Sequence, residues 1–264
     1  MTSYAIKRTR RHACGGKWKL LLPAAALLLL GAALFLLSRP ALLHSPEDNR
    51  KGGPDAMTVL DVPFLSQLPE FPTGCESVSA VMALQYLGID LSPGEFVDRY
   101  LPLGDAPHQG EDGVLTGCDP SEAFPGDPRS ESGWGCFAPV ILSALEQASQ
   151  GRYETRDLTG ESLETLCSQY LADGTPVLVW VTIDMAPASE GDTWLLESSG
   201  EPFTWIEPLH CAVLVGWDDT SYYLNDPLAE KNTAYPRDDV ETAYKAMGLS
   251  LIHISEPTRL DVIS

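Results

Sequence analysis

Basic residues are scarce in this chain. Seventeen Lys and Arg stand against 37 Asp and Glu, for a formal net charge of −20. The shortage is uneven. Nine of the 17 precede residue 58, where only Glu47, Asp48 and Asp55 oppose them. The 8 bases and 34 acids that remain give residues 58–264 a charge of about −26. Such a surface repels polyanions at close range, so no nucleic-acid partner is expected. It is either plain solvation or a preference for a basic peptide. Metal patterns are missing as well. The six cysteines, Cys14, Cys75, Cys118, Cys136, Cys167 and Cys211, contain no C-x-x-C pair and match no zinc spacing. Asp105, Asp112, Asp119 and Asp127 crowd one long loop without the spacing of an EF-hand. Neither a metal nor a cofactor is expected. Apolar residues are not scarce: at 44% hydrophobic over 264 residues, the chain can bury one good-sized core and carry a tail.

Charge is also absent from residues 20–37, after a segment holding Lys7, Arg8, Arg10, Arg11, Lys17 and Lys19. At ~1.5 Å per residue this run spans roughly 27 Å, just enough for a bilayer core. The basic flank should stay inside and place the remainder outside. A cleaved signal peptide is the rival reading, but no small-x-small site closes the run at Ser38-Arg39-Pro40. The expected organisation is a cytoplasmic basic segment at 1–19, a transmembrane anchor at 20–37, a Pro- and Gly-rich linker at 38–57 and a globular domain at 58–249. That domain is expected to act as a monomer outside the cell membrane.

The domain is organised around Thr73-Gly74-Cys75-Glu76-Ser77. A turn at 71–74 delivers Cys75 to the start of an apolar helix at 75–87, stopped by Gly88. A thiol there meets unpaired N–H groups and the positive end of the helix dipole, which favours thiolate. Gln67, eight residues earlier, is placed to donate its side-chain N–H to an oxyanion beside the cysteine. Far downstream, His210-Cys211-Ala212-Val213-Leu214-Val215-Gly216 reads as one strand and Tyr222-Tyr223-Leu224-Asn225-Asp226 as the next. A hairpin centred near Asp218 sets His210 opposite Asp226, within hydrogen-bonding reach. Asn225 is the runner-up orienting residue, although alternation turns it to the other face. Singly, His210 reads as a core histidine and Asp226 as a turn residue. Jointly with Cys75 they form a cysteine-peptidase constellation.

Between these motifs the pattern predicts helices at 93–100, 137–150, 161–172 and 236–247, a buried strand at 176–183 and a hairpin at 193–206. Residues 101–135 read as one long loop. Cys118 and Cys136 flank its second half and could pair; Cys167 and Cys211 read as core.

From about residue 60 to 248 the chain resembles the papain-like peptidases akin to the double-glycine, bacteriocin-processing family. The matching pieces are Val62-Pro63-Phe64-Leu65-Ser66-Gln67, Pro72-Thr73-Gly74-Cys75-Glu76-Ser77, Ala123-Phe124-Pro125-Gly126-Asp127-Pro128, Gly133-Trp134-Gly135-Cys136-Phe137, and the His210 and Asp226 strands. The resemblance implies a papain-like α+β fold, with the cysteine helix packed on an antiparallel sheet that carries His and Asp. It implies Cys75 as nucleophile, His210 as base, Asp226 as orienting acid and Gln67 as oxyanion donor, acting on a peptide or protein. No transporter domain accompanies it, so coupling to export is not implied. Two alternatives share the layout: a cell-wall peptide amidase or transpeptidase, and a catalytically silent peptide-binding domain. A separate resemblance covers Ser250-Leu251-Ile252-His253-Ile254-Ser255-Glu256-Pro257-Thr258-Arg259, which looks like a translated sequencing-library adapter. Residues 250–264 are therefore read as an artefactual tail, His253 is set aside, and the closing strand is expected to be missing.

Overall fold

The protein is described here by a computed structural model covering residues 58–111 and 113–255. The basic segment, the anchor and the linker to residue 57 lie outside the described residues, as do Asp112 and 256–264. Among the described residues no helix is long and apolar enough to cross a membrane.

The chain enters through β1 (Thr58–Val59) and reaches α1 (Cys75–Tyr86) and α2 (Pro93–Arg99). Cys75 to Leu84 of α1 are all buried, as expected of a helix apolar on every side. α2 starts at a complete capping box, with the Ser92 hydroxyl accepting from Glu95 N–H and the Glu95 carboxylate accepting from Ser92 N–H. Then come β2 (Leu103–Gly104), β3 (His108–Gln109), β4 (Leu115–Gly117) and β5 (Phe124–Pro125), where a continuous loop was expected. Strands this short carry no readable alternation. Their partners are remote: β2 pairs β5, and β3 and β4 join a sheet completed by the later hairpin.

α3 (Ala138–Ser149), β6 (Glu154–Asp157) and α4 (Leu163–Leu166) follow. The helix expected at 161–172 begins as α4 and continues as a wider π turn over Cys167–Leu171. The second half of the domain is β7 (Val177–Thr182), the hairpin β8 (Ser189–Leu196) and β9 (Pro202–Glu207), β10 (Leu209–Trp217), β11 (Ser221–Asn225), β12 (Thr233–Pro236), α5 (Arg237–Ala246) and β13 (Leu251–Ser255).

The main sheet runs β12-β11-β10-β7-β13-β6, with β1 pairing the end of β10. Its pairs are antiparallel. All six residues of β7 are buried, and so are eight of the nine in β10. α1 packs across β10 and β7, and α5 packs on β7. Ser79 of α1 ties helix to sheet, its hydroxyl donating to Cys211 O at 3.0 Å. The second sheet, β3-β4-β8-β9, meets the segment just before α3 through an aromatic cluster of Trp134, Phe137, Trp194, Phe203 and Trp205.

The position expected to lack a closing strand is occupied. β13 inserts between β7 and β6, with Leu251, Ile252 and Ile254 fully buried. Cys118 and Cys136 are both free thiols, so the pairing considered for them is not made. Cys136 is fully buried, its peptide held on both sides by contacts described below.

Candidate active site

α1 begins at Cys75 because the chain before it turns too tightly to be helical. Gly74 N–H donates to Phe71 O at 3.0 Å, and Val78 N–H then opens the helical ladder to Gly74 O, also at 3.0 Å. A Cβ on Gly74 would stand 2.9 Å from Phe71 Cβ and 3.1 Å from Pro128 Cβ, so the packed turn admits only glycine. Gln67 closes the same turn. Its carbonyl accepts Phe71 N–H at 2.7 Å and its Nε2 donates to Pro72 O at 2.9 Å. The side chain is 1% exposed, and Oε1 has no partner. An amide carries two donor hydrogens. One of them is given to Pro72 O.

His210 and Asp226 meet directly. Nε2 of His210 lies 2.7 Å from Oδ1 of Asp226, with the residues 1% and 2% exposed. The hairpin register differs from the one expected. Val213 pairs with Asn225 and Leu214 with Leu224, while a bulge at Val215 shifts the pairing to Gly216 with Tyr223. His210 is therefore not opposite Asp226 on the ladder. Asp226 lies just past β11, and the length of the imidazole closes the diagonal. Asp226 is held from three sides: His210 and Leu228 N–H on Oδ1, and the Tyr235 hydroxyl on Oδ2 at 2.7 Å. Burial works against its carboxylate, yet the His210 contact and then Tyr235 and Leu228 outweigh it and hold the pKa at about 2. Asn225 is not part of this network. Its amide donates to Val62 O and Pro63 O and accepts Asn232 N–H, anchoring the start of the domain.

With Nε2 engaged, Nδ1 of His210 is buried and has no partner. The Cys75 thiol, 6% exposed, donates instead to Glu76 Oε2 at 3.3 Å. Burial pushes this thiol well up, and the neighbouring Glu76 carboxyl and Cys211 push it further. The dipole-lowered thiol expected from a helix start is thus overridden by burial and a carboxyl.

Glu76 itself was not singled out by sequence reasoning. Successive helical side chains diverge, so adjacency to Cys75 carried no signal. Tyr235 was missed because its strand is an edge strand of four mixed residues ending at Pro236. The Cys136 peptide was missed too. Its N–H donates to Glu76 Oε1 at 2.8 Å and its carbonyl accepts Trp180 Nε1 at 2.8 Å. His253 lies in β13, buried, its ring tilted against Tyr170 at 4.1 Å between centroids, outside this cluster.

The family model for the Peptidase_C39 like family matches residues 59–251, most of the chain. This protein belongs to that family. A solved candidate C39-like peptidase from Bacillus anthracis is 30% identical, covers 77% of this chain and 99% of its own, and superimposes with a TM-score of 0.67. The uncharacterised protein YvpB of Bacillus subtilis strain 168 is 30% identical over 200 residues, 75% of this chain and 76% of that protein. A double-glycine motif protease from an AMS/PCAT transporter, solved in complex with the leader peptide, is 13% identical, covers 76% of this chain and 95% of its own, and has a TM-score of 0.43. The C39-like fold is papain-like, and the α+β arrangement here is of that class.

Proposed function

We propose that this protein is a cysteine peptidase, anchored in a membrane by residues 20–37 with its catalytic domain outside. Cys75 is the nucleophile, His210 the general base and acid, Asp226 the orienting carboxylate and Gln67 an oxyanion donor. The observation that carries the reading is the buried His210–Asp226 pair at 2.7 Å, which engages Nε2 and leaves Nδ1 free for a proton. Membership of a peptidase family and a structural relative at 30% identity support it.

In the proposed cycle His210 Nδ1 takes the Cys75 proton. The thiolate adds to the scissile carbonyl carbon, and its oxyanion is met by a Gln67 N–H and the Cys75 backbone N–H. The amide C–N bond breaks as imidazolium hands its proton to the leaving amine. Water, deprotonated by His210, then hydrolyses the thioester and restores the thiol. Asp226 keeps the imidazole in the tautomer with the proton on Nε2 and stabilises the imidazolium.

The test is iodoacetamide alkylation of Cys75, read by peptide mass spectrometry, in wild type and His210→Ala, with Cys75→Ala as the background. Slower Cys75 alkylation in His210→Ala supports the pair; identical rates defeat it. Protease accessibility of intact cells tests the anchor: a domain protected until lysis would overturn the extracytoplasmic placement.

A further inference from the structure

Glu76 is a charge-bearing side chain that the proposed cycle does not use. It is fully buried in the first turn of α1. Its carboxyl forms a two-ended clip, with Oε1 on Cys136 N–H at 2.8 Å and Oε2 on Cys75 Sγ at 3.3 Å. The loop end of the clip is built for it. Gly135 has φ +152°, and a Cβ there would stand 2.7 Å from Glu76 Oε1, 3.1 Å from Leu209 Cδ2 and 3.3 Å from Trp205 Cη2. Trp180 fixes the Cys136 peptide from its other side.

The titratable groups that bear on Glu76 are Cys75 on α1, Cys136 on the loop before α3, and His210 and Cys211 on β10. Among the described residues no Lys or Arg pairs with it. A carboxylate in such a place cannot tolerate a thiolate at hydrogen-bonding distance, because like charges in a dry site repel strongly. It does accept a thiol proton, and that is the contact observed.

We infer that Glu76 is a positioning residue that gates the nucleophile: its carboxylate holds Cys75 as a thiol turned to Oε2, and protonation of the carboxylate releases that thiol to His210 Nδ1. The step balances simply. A proton from solvent neutralises Glu76, and the Cys75 proton then passes to His210, giving a thiolate–imidazolium pair beside a neutral acid. Burial pushes the Glu76 carboxyl up from its ordinary range, while the Cys136 N–H and the Cys75 contact act against that, so the gate works above the pH of ordinary carboxylates. The inference rests on the Cys75–His210 reading above.

The test is the pH dependence of Cys75 alkylation in the full-length chain, comparing wild type with Glu76→Gln. The amide keeps an acceptor for Cys136 N–H and can carry no negative charge. Its Cys75 should alkylate about tenfold faster near neutral pH, with the midpoint about one unit lower. Superimposable profiles, with His210 dependence intact in both, overturn the gate and leave the peptidase reading standing. Loss of His210 dependence in wild type overturns both. Should Glu76→Gln fail to fold, infrared titration of wild type decides. A protonated-carboxyl band whose midpoint moves when Cys75 is carboxamidomethylated supports the gate, and the absence of any responding carboxyl band overturns it.

Discussion

His210 Nε2 and Asp226 Oδ1 are 2.7 Å apart in a site almost closed to water, and Tyr235 secures the far oxygen of the same carboxylate. The histidine is thereby fixed in ring orientation and tautomer before any substrate arrives. In the proposed cycle, pre-organisation of this kind removes a reorientation step.

The carboxylate also links stability to pH. Burial opposes it, but its hydrogen bonds keep the folded pKa at about 2, below an unfolded value of about 3.9. A depressed carboxyl stabilises the fold above the unfolded pKa and loses that contribution as pH falls through the folded one. The difference corresponds to about 2.6 kcal/mol, most of it lost between about pH 5 and about pH 2. Urea unfolding should show the stability of wild type relative to Asp226→Asn shrinking by roughly that amount between about pH 5 and about pH 2. Parallel curves would remove the linkage.

Gln67→Ala tests the oxyanion site. Loss of one donor typically costs about 10²–10³ in kcat. Peptide hydrolysis should fall by that factor with little change in KM. Wild-type turnover in this variant would exclude Gln67 from the chemistry. The melting temperature separates this from a packing effect, since Gln67 Nε2 also holds Pro72 O.

Gly135→Ala should be damaging out of proportion to its size. The new methyl would enter within 2.7 Å of Glu76 Oε1 at a φ of +152°, where side chains are strained. A loss of about 1–3 kcal/mol is expected in thermal or urea unfolding. Restored stability in Gly135→Ala combined with Glu76→Ala would locate the clash.

Truncation after Gly248 should abolish cooperative folding. It strips β13 from between β7 and β6 and removes Leu251, Ile252 and Ile254, each fully buried. Each such side chain is worth roughly 1.5–3 kcal/mol, against a total stability of about 5–15. Circular dichroism melts read the outcome directly, and a sharp transition in the truncated chain would make the strand dispensable. The same requirement bears on residues 250–264. If they are adapter-derived, sequencing the locus will reveal another segment there, and it must bring apolar residues to the same register.

Local pattern sufficed for much of this protein. Apolar continuity marked β7 and β10, Gly and Pro punctuation bounded α1, α2 and α5, and turn chemistry around 198–201 set the β8–β9 hairpin. Those signals are short-range, because each depends on which residues follow one another. The candidates Cys75, Gln67, His210 and Asp226 are singled out for the same reason, as residues with distinctive neighbours. Other features depended on remote chain. β6 is Glu-Thr-Arg-Asp, polar throughout, and becomes a strand only because β13 offers it an edge. β2 to β5 are two or three residues long and exist through pairing. The hairpin register was set by a bulge at Val215 that no spacing rule foretold. Above all, the environment of the Cys75 thiol belongs to tertiary structure. Helix position alone argues for a lowered thiol pKa, but burial and the carboxyl of Glu76 push it up, since the titration of a group follows what surrounds it in space.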